Sequence, residues 1–511
     1  MGPGAVHRPT GDTCFPVSGL VWHTAPVRQP IRVLLALVAL QIPWMARPVN
    51  YDEANFLTLA RGAAEDPWRP HVVSINWQGI TEPAFDVLSN PPGIAWWLAP
   101  VVSLPVWAQR AWMLPWLGLA LLGAVRLGRR FLDDGESGAL LLLTAPIVLL
   151  STTALLPDLP LYACTLLGIG GFVDATDKGQ RAWPWALLAG AAALFRYSGI
   201  TLLPLLALYA FRRGRAPWSA LAAAVPFLLL AAHDLSAYGA WHFLAMTAFQ
   251  SVANTSADHA HKLAAALAML GGAAALPVFR WTRGIAVGGV VGAIVGAPYG
   301  WVGAAFAAAG GASLAAIAAR RNDRAFLGAW VGGGVLFLLA LRFVATRYWL
   351  PFLPGVLLAL PLGSQVRRLV LVHTCLGVLL LADDHFSAQG VTRLAREAAG
   401  LGVGRFTGHW GWQHTLEAAG WTALDAGSRA QPGERVAMPR QAWPQGVDVP
   451  CSKVVWEGVA SPPFPWLPRA YSERGGANLH ADWIAGPPPV RTILPWTFAD
   501  DPYERARVCQ D

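Results

Sequence analysis

Apolar runs of about 15 to 22 residues, the length needed to cross a bilayer as helix, recur between residues 31 and 382 with short polar breaks between them. Placing the Arg and Lys clusters on the cytoplasmic side gives a consistent alternation. A first span over 31–46 leaves the cytoplasm and is followed by a long outer segment, 47–108. Spans over 110–125, 138–155, 159–174, 183–195 and 199–211 then reach, in turn, "RLGRRF" inside, "LLPDLP" outside, "DATDKGQR" inside, "FRYSG" outside and "RRGR" inside. The next span, 217–233, opens a second outer loop, in which residues 241–250 are predicted to lie as an amphipathic helix on the membrane. The Ala/Gly-rich stretch divides at 263–279, 284–298 and 301–318, with Arg280, Arg283, Arg320 and Arg321 inside, and its small residues suit close helix packing. Spans over 325–343, 348–364 and 369–382 complete a total of about thirteen by this window.

An odd number of spans starting inside places residues 383–511 outside as a soluble unit. "GERVAMPRQAWPQGVDVPCSKVV" alternates polar and β-branched residues between Pro and Gly turns, predicting a small α/β domain. Residues 1–30 are rich in Pro, Gly and Thr without an apolar run and read as a disordered cytoplasmic extension. The first span then stays uncleaved, since "NYDEANF" follows it with no small-residue cleavage site. The expected fold is an all-α polytopic membrane protein with a C-terminal extracytoplasmic α/β domain. No internal repeat is evident, which counts against repeat-built transporters.

Composition agrees: of 511 residues, 55% are hydrophobic and only 13% charged, too few charges for a large soluble protein. The net charge of +8 is carried almost wholly by Arg, with Lys only at Lys178, Lys262 and Lys453, clustered between spans. That distribution sets orientation and excludes a nucleic-acid surface. The five Cys show no metal-ligand spacing: Cys14 lies in the extension and Cys164 and Cys375 in apolar segments. Cys451 and Cys509, both in the tail, pair or remain two free thiols with equal weight.

The outer face collects the unusual polar residues: Asp52, Glu53, Glu82, Asp86, Asp158, Arg196, Tyr197, His242, Arg347 and Tyr348. Charges at span ends are costly, and facing a polar cavity is the usual reason for them. In "NYDEANFLTLARG", Asn50 as cap and two acids in the first turn explain a helix whose stripe of Phe56, Leu59, Ala60 and Ala63 lies on the membrane. Adjacent carboxylates also divide roles, one taking a proton while the other orients it or holds a metal. Both readings stand at this point. Asp158 caps a helix or faces the cavity, and Arg196 and Arg347 either snorkel at the interface or meet an anion. Glu82 and Asp86, with His242, His259 and His261, are the candidates for a metal, without a firm ligand spacing.

The order of the motifs is more specific than any one of them. An acidic pair after the first span, "NPPGIAWW", "LLPDLP", "ALFRYSG", "TRYWLPFLP" and a soluble tail together resemble the GT-C glycosyltransferases, over roughly residues 31 to 425. The nearest types are the aminoarabinose transferase and protein mannosyltransferase enzymes, including the RgtA/B/C/D-like bacterial ones. The resemblance implies a multi-pass enzyme of the bacterial inner membrane, with domain 31–382 catalytic. It would transfer a sugar from a polyprenyl-phosphate donor to a glycan, lipid or protein acceptor on the outer face. It also implies Asp52 as general base with Glu53 beside it, and Asp158 as the residue that orients Asp52, holds a divalent metal or contacts the acceptor. Arg196 and Tyr197, with Arg347 and Tyr348, would meet the departing lipid phosphate. One departure is that Ser89 and Asn90 stand where the aminoarabinose transferases carry an acid and Lys before the Pro pair. Glu82 or Asp86 would then supply the acid from another position. Two other classes compete: a lipid or glycan flippase or transporter, and a non-catalytic envelope protein whose tail binds a partner.

Overall fold

The computed structural model describes residues 28–510 except 78, 252–255, 274–281, 320–322, 443–448, 450 and 485–489. The extension expected over 1–30 therefore lies almost wholly outside the described residues, as do Arg280, Arg320 and Arg321.

Among the described residues, five helical runs are long and apolar enough to cross a membrane: Val106–Leu132, Asp158–Asp177, Pro217–Tyr238, Arg283–Ile317 and Gly363–Ala399. Gly135–Leu143 and Pro146–Thr152 form a sixth if counted as one span bent by 74°, and four shorter apolar helices accompany them. The expected thirteen full spans are not reproduced, and proline is one reason. Where 348–364 was expected to cross, Pro351, Pro354 and Pro361 leave only the seven-residue helix Leu353–Ala359, roughly 10 Å long at 1.5 Å per residue. The run Arg283–Ile317 is folded back on itself. Gly288 faces Gly311, Gly292 faces Ala307 and Gly296 faces Gly303, a falling register that defines an antiparallel hairpin. A Cβ on Gly292 would collide with the Ala307 carbonyl, so the small residues are what allow this approach.

The almost wholly buried helix Asp158–Asp177 sets the two faces of the bundle. Its two terminal aspartates are roughly 28 Å apart along the helix, about the thickness of a bilayer core. At the far end Asp177 meets Arg130 (2.7 Å) and Arg213 (3.0 Å), and Asp323 meets the same two arginines, each at 3.1 Å. This network fastens helix ends on one face, and the site is built at the other.

The tail does not begin where the apolar run ends. The helix Val366–Ala399 passes unbroken through residue 383. Its last turns place Val391, Leu394, Ala395 and Ala398 in a second core with Phe406, Trp412, Leu416, Trp421 and Val508. A five-stranded sheet covers that core in the order 422–423, 405–406, 435–439, 504–510, 453–460. The first three strands are parallel, and the last strand in sequence pairs antiparallel with both its neighbours. Helix Trp410–Ala418 makes the crossover between the strands at 405 and 422.

Cys451 and Cys509 are disulfide-bonded across 58 residues. Cys509→Ser is expected to lower the stability of this sheet by about 3–4 kcal/mol through loop-closure entropy. Faster amide exchange confined to strands 453–460 and 504–510 would be the signature. The tail is also tied to the helical part. Asp425 accepts from Asn76 Nδ2 (2.6 Å) and Thr81 Oγ1 (2.7 Å) of the outer hairpin, and Leu479 and Ile493 join the helical core.

Candidate active site

The loop before helix Glu53–Glu65 separates the two adjacent carboxylates. Asn50 does not cap this helix. Instead Glu53 Oε2 reaches back to accept from the Asn50 backbone N–H at 3.0 Å, and no side chain caps at Asp52. The helix is buried rather than laid open on a surface, with Ala54, Asn55 and Leu57 enclosed as well as the predicted stripe. Tyr51 takes a left-handed backbone conformation (φ 46°), a strained choice for a residue with a side chain. The reversal sends Asp52 and Glu53 to different partners.

Glu53 is only 2% exposed and fully engaged. It accepts from Arg47 Nη2 (2.6 Å), Arg110 Nη1 (2.7 Å) and Nη2 (2.9 Å), and the Leu155 backbone N–H (3.0 Å). Arg110, fully buried, also donates to the carbonyls of Arg47, Pro48 and Thr153, and Arg47 continues the chain of charges to Asp384. Burial opposes ionisation of Glu53, but the two guanidinium charges overcome it and hold the carboxyl down at about 2. The oxygens of Glu53, expected beside the general base, are engaged by two guanidiniums and by the backbone N–H groups of Asn50 and Leu155.

Asp52 stands differently. Its side chain keeps 23% exposure and accepts from Arg347 Nη2 at 2.6 Å. Burial favours the neutral acid here, and the charge and hydrogen bond of Arg347 outweigh it, holding the carboxyl below the usual range. Arg347 lies on the short turn Thr346–Trp349 and is only 8% exposed. Besides its bond to Asp52, its Nε and Nη1 are buried without a hydrogen-bond partner among the described residues, as is Thr346 Oγ1 beside it. An arginine that snorkels would expose its head, and this one does not.

Asp158, expected as a possible cap, makes no capping bond. It is buried in the first turn after Pro157 and pairs with Arg196 Nε (3.1 Å) and Nη2 (3.2 Å). Arg196 is likewise buried, so both arginines face inward. The Tyr348 ring lies 5.4 Å from the Arg196 guanidinium and 5.8 Å from that of Arg347. Asp52, Asp158, Arg196, Arg347 and Tyr348 therefore come together from four separated segments.

Tyr197 is not brought into that group by any of its recorded contacts. Its hydroxyl bonds His242 Nδ1 (2.6 Å), and His242 packs near the His71 and Phe85 rings (5.1 and 4.8 Å). Glu82 is half-buried opposite Ile75 in the hairpin, and Asp86 is exposed. His261 is held by Tyr299 Oη (2.6 Å) and Asp482 (3.3 Å), with His259 exposed on the same helix. Among the described residues no three His, Cys, Asp or Glu side chains are grouped to hold a metal.

Sequence reasoning missed Arg47, Arg110, Asp383, Asp384 and the tail. Arg110 had a signal, a lone cation within "PVWAQRAWML", and Asp383 and Asp384 had another, a second acidic pair in "LLLADDHF". The tail contributes Leu479, whose carbonyl accepts from Thr346 N–H at 3.1 Å, and His480, whose ring lies 4.1 Å from that of Tyr51. Nothing in the local sequence marks these two.

No protein-family model and no curated protein matches the chain. Solved structures similar to it include two of one protein. ArnT from Cupriavidus metallidurans bound to undecaprenyl phosphate is 14% identical, over 82% of this chain and 93% of that one, with a TM-score of 0.46. The same protein in the apo state is 18% identical, over 76% and 73%, with a TM-score of 0.39. Likenesses of this strength carry no argument about chemistry, which rests on the residues of this chain.

Proposed function

We propose that the chain is a GT-C-type membrane glycosyltransferase that moves a sugar from a polyprenyl-phosphate donor to a hydroxyl-bearing envelope acceptor. The observation that carries this reading is the Asp52–Arg347 pair. A partly exposed carboxylate is bonded to a buried guanidinium that retains two unpartnered donor atoms, so a base and an anion site sit side by side. The order of motifs along the sequence supports the same reading.

In this mechanism the acceptor hydroxyl oxygen attacks the anomeric carbon as the carbon–oxygen bond to the carrier phosphate breaks. The hydroxyl proton passes to Asp52, and the bonding electrons leave with the phosphate. The sugar gains positive character and the leaving group negative charge, which buried cations stabilise strongly. Arg347 does this beside Asp52, and Arg196, paired with Asp158, is linked to it through the Tyr348 ring. Glu53 serves the loop rather than the reaction. The site would open on the outer face of a bacterial inner membrane, beneath the tail.

Arg347→Gln is expected to weaken binding of undecaprenyl phosphate by about 30-fold or more, the scale of losing a charge-assisted contact to phosphate. Binding of undecaprenol, which lacks the phosphate, should be unchanged. Equal binding of undecaprenyl phosphate by variant and wild type would remove the anion site. A flippase would bind the same carrier without consuming a sugar-loaded donor, so donor turnover separates the two activities.

A further inference from the structure

Three chain segments meet at the Asp52–Arg347 bond, and one of them comes from the tail. Tyr51 precedes Asp52, Thr346 precedes Arg347, and the Leu479–His480 peptide touches both. Thr346 N–H donates to Leu479 O at 3.1 Å, which seats the tail on the turn that carries Arg347. The His480 ring packs 4.1 Å from the Tyr51 ring, which itself lies 5.1 Å from the Trp410 ring, also in the tail. The strained backbone of Tyr51 aims that ring at the tail.

Among the described residues, His480 Nδ1 is buried and has no hydrogen-bond partner. It belongs with the other unpartnered buried atoms at this junction, Thr346 Oγ1 and Arg347 Nε and Nη1. Buried polar groups are normally satisfied, and four of them within two touching dipeptides point to a shared ligand. All four atoms can donate, the two of Arg347 only donating, which selects an acceptor-rich anion.

We infer that His480 is part of the carrier-phosphate site, its Nδ1–H donating to the phosphate that Arg347 neutralises, so that the site is incomplete without the tail. This inference rests on the reading given under Proposed function and adds to it a binding residue from outside the helical domain. Burial, reinforced by the Arg347 charge, pushes the imidazole down to about 3, which favours a neutral ring donating from Nδ1 over a second cation. A neutral donor beside a guanidinium adds orientation to a site already supplied with charge. It selects one rotation of the phosphate, and with it one position of the scissile bond relative to Asp52.

The test uses the full chain in lipid nanodiscs, with undecaprenyl phosphate as probe and undecaprenol as control. His480→Ala is expected to weaken undecaprenyl phosphate binding about tenfold, the order for one hydrogen bond to a charged group, with undecaprenol unaffected. His480→Asn, whose amide nitrogen reaches the place of Nδ1, should bind within about twofold of wild type on the same scale. His480→Gln keeps the bulk but carries its amide too far, and should bind like His480→Ala. That pattern is one a purely structural role would not give, because loss of packing would not be rescued by Asn and missed by Gln. If His480→Ala and His480→Gln both bind undecaprenyl phosphate as wild type does, the inference is overturned while the Arg347 site stands. If wild type fails to bind undecaprenyl phosphate at all, the glycosyltransferase reading falls first and takes this with it.

Discussion

Asp52→Asn is expected to cut sugar transfer by about 10²- to 10⁴-fold, the usual range for loss of a general base, while binding of undecaprenyl phosphate is kept or strengthened. The two effects have opposite signs because Asp52 has two relations in the site. It takes the acceptor proton, and it also occupies Arg347 Nη2 at 2.6 Å. An amide in its place accepts a hydrogen bond but carries no charge, so Arg347 is freed to meet the phosphate more fully. A residue that merely held the loop would lose stability, and a residue that bound phosphate would lose binding. Only a base loses turnover while its neighbour gains affinity. Because Arg347 holds Asp52 ionised below the usual carboxylate range, no acid limb from this group should appear in kcat/KM between pH 5 and 8 in the wild type. The assay is transfer from defined polyprenyl-phosphate sugars alongside carrier binding, at several pH values. Unchanged turnover in the Asn variant would sink the proposed base.

Much of this organisation was legible in the chain because it is written in local patterns. The apolar runs place the helices Asp158–Asp177 and Pro217–Tyr238 within a few residues of expectation, and the small residues of the Ala/Gly-rich stretch foretell the close packing seen over 283–317. The grouping of Asp52, Asp158, Arg196 and Arg347 follows from topology, since each lies at a span end expected on one face. What local pattern does not carry is who pairs with whom. Arg196 and Arg347 look alike in sequence, yet one pairs with Asp158 and the other with Asp52. Adjacent Asp52 and Glu53 look like one feature, and a positive φ at Tyr51 divides them. Window hydropathy also misses breaks of a few residues, which is why Leu353–Ala359 read as a full span. It likewise ends the last span at the charges of Asp383 and Asp384, though these are paired with Arg469 and Arg47 and the helix runs on.

The division between the two carboxylates yields the second large effect. Glu53→Gln is expected to destabilise the protein by about 3–5 kcal/mol, the usual cost of removing one partner from a buried ion pair. Two guanidiniums, Arg47 and Arg110, converge on Glu53, and neither reaches water, with 3% and 0% exposure. Glutamine keeps the shape but turns an N–H toward one of them, leaving a donor facing a cation. The raised acidity of Glu53 reflects the same interaction. A shift from the ordinary 4.5 to about 2 corresponds to about 3 kcal/mol of stabilisation. Because the folded value is depressed, that contribution is present above the ordinary value and fades as the pH falls from about 4.5 toward 2. Wild type should therefore lose stability across that acid window, and Glu53→Gln should lose less there because it has already forfeited the interaction. Thermal unfolding in detergent, followed by tryptophan fluorescence at neutral and acid pH, reads both. The result that overturns this assignment is a Glu53→Gln variant that melts with the wild type yet fails to turn over, for then Glu53 would share the chemistry that Asp52 is assigned.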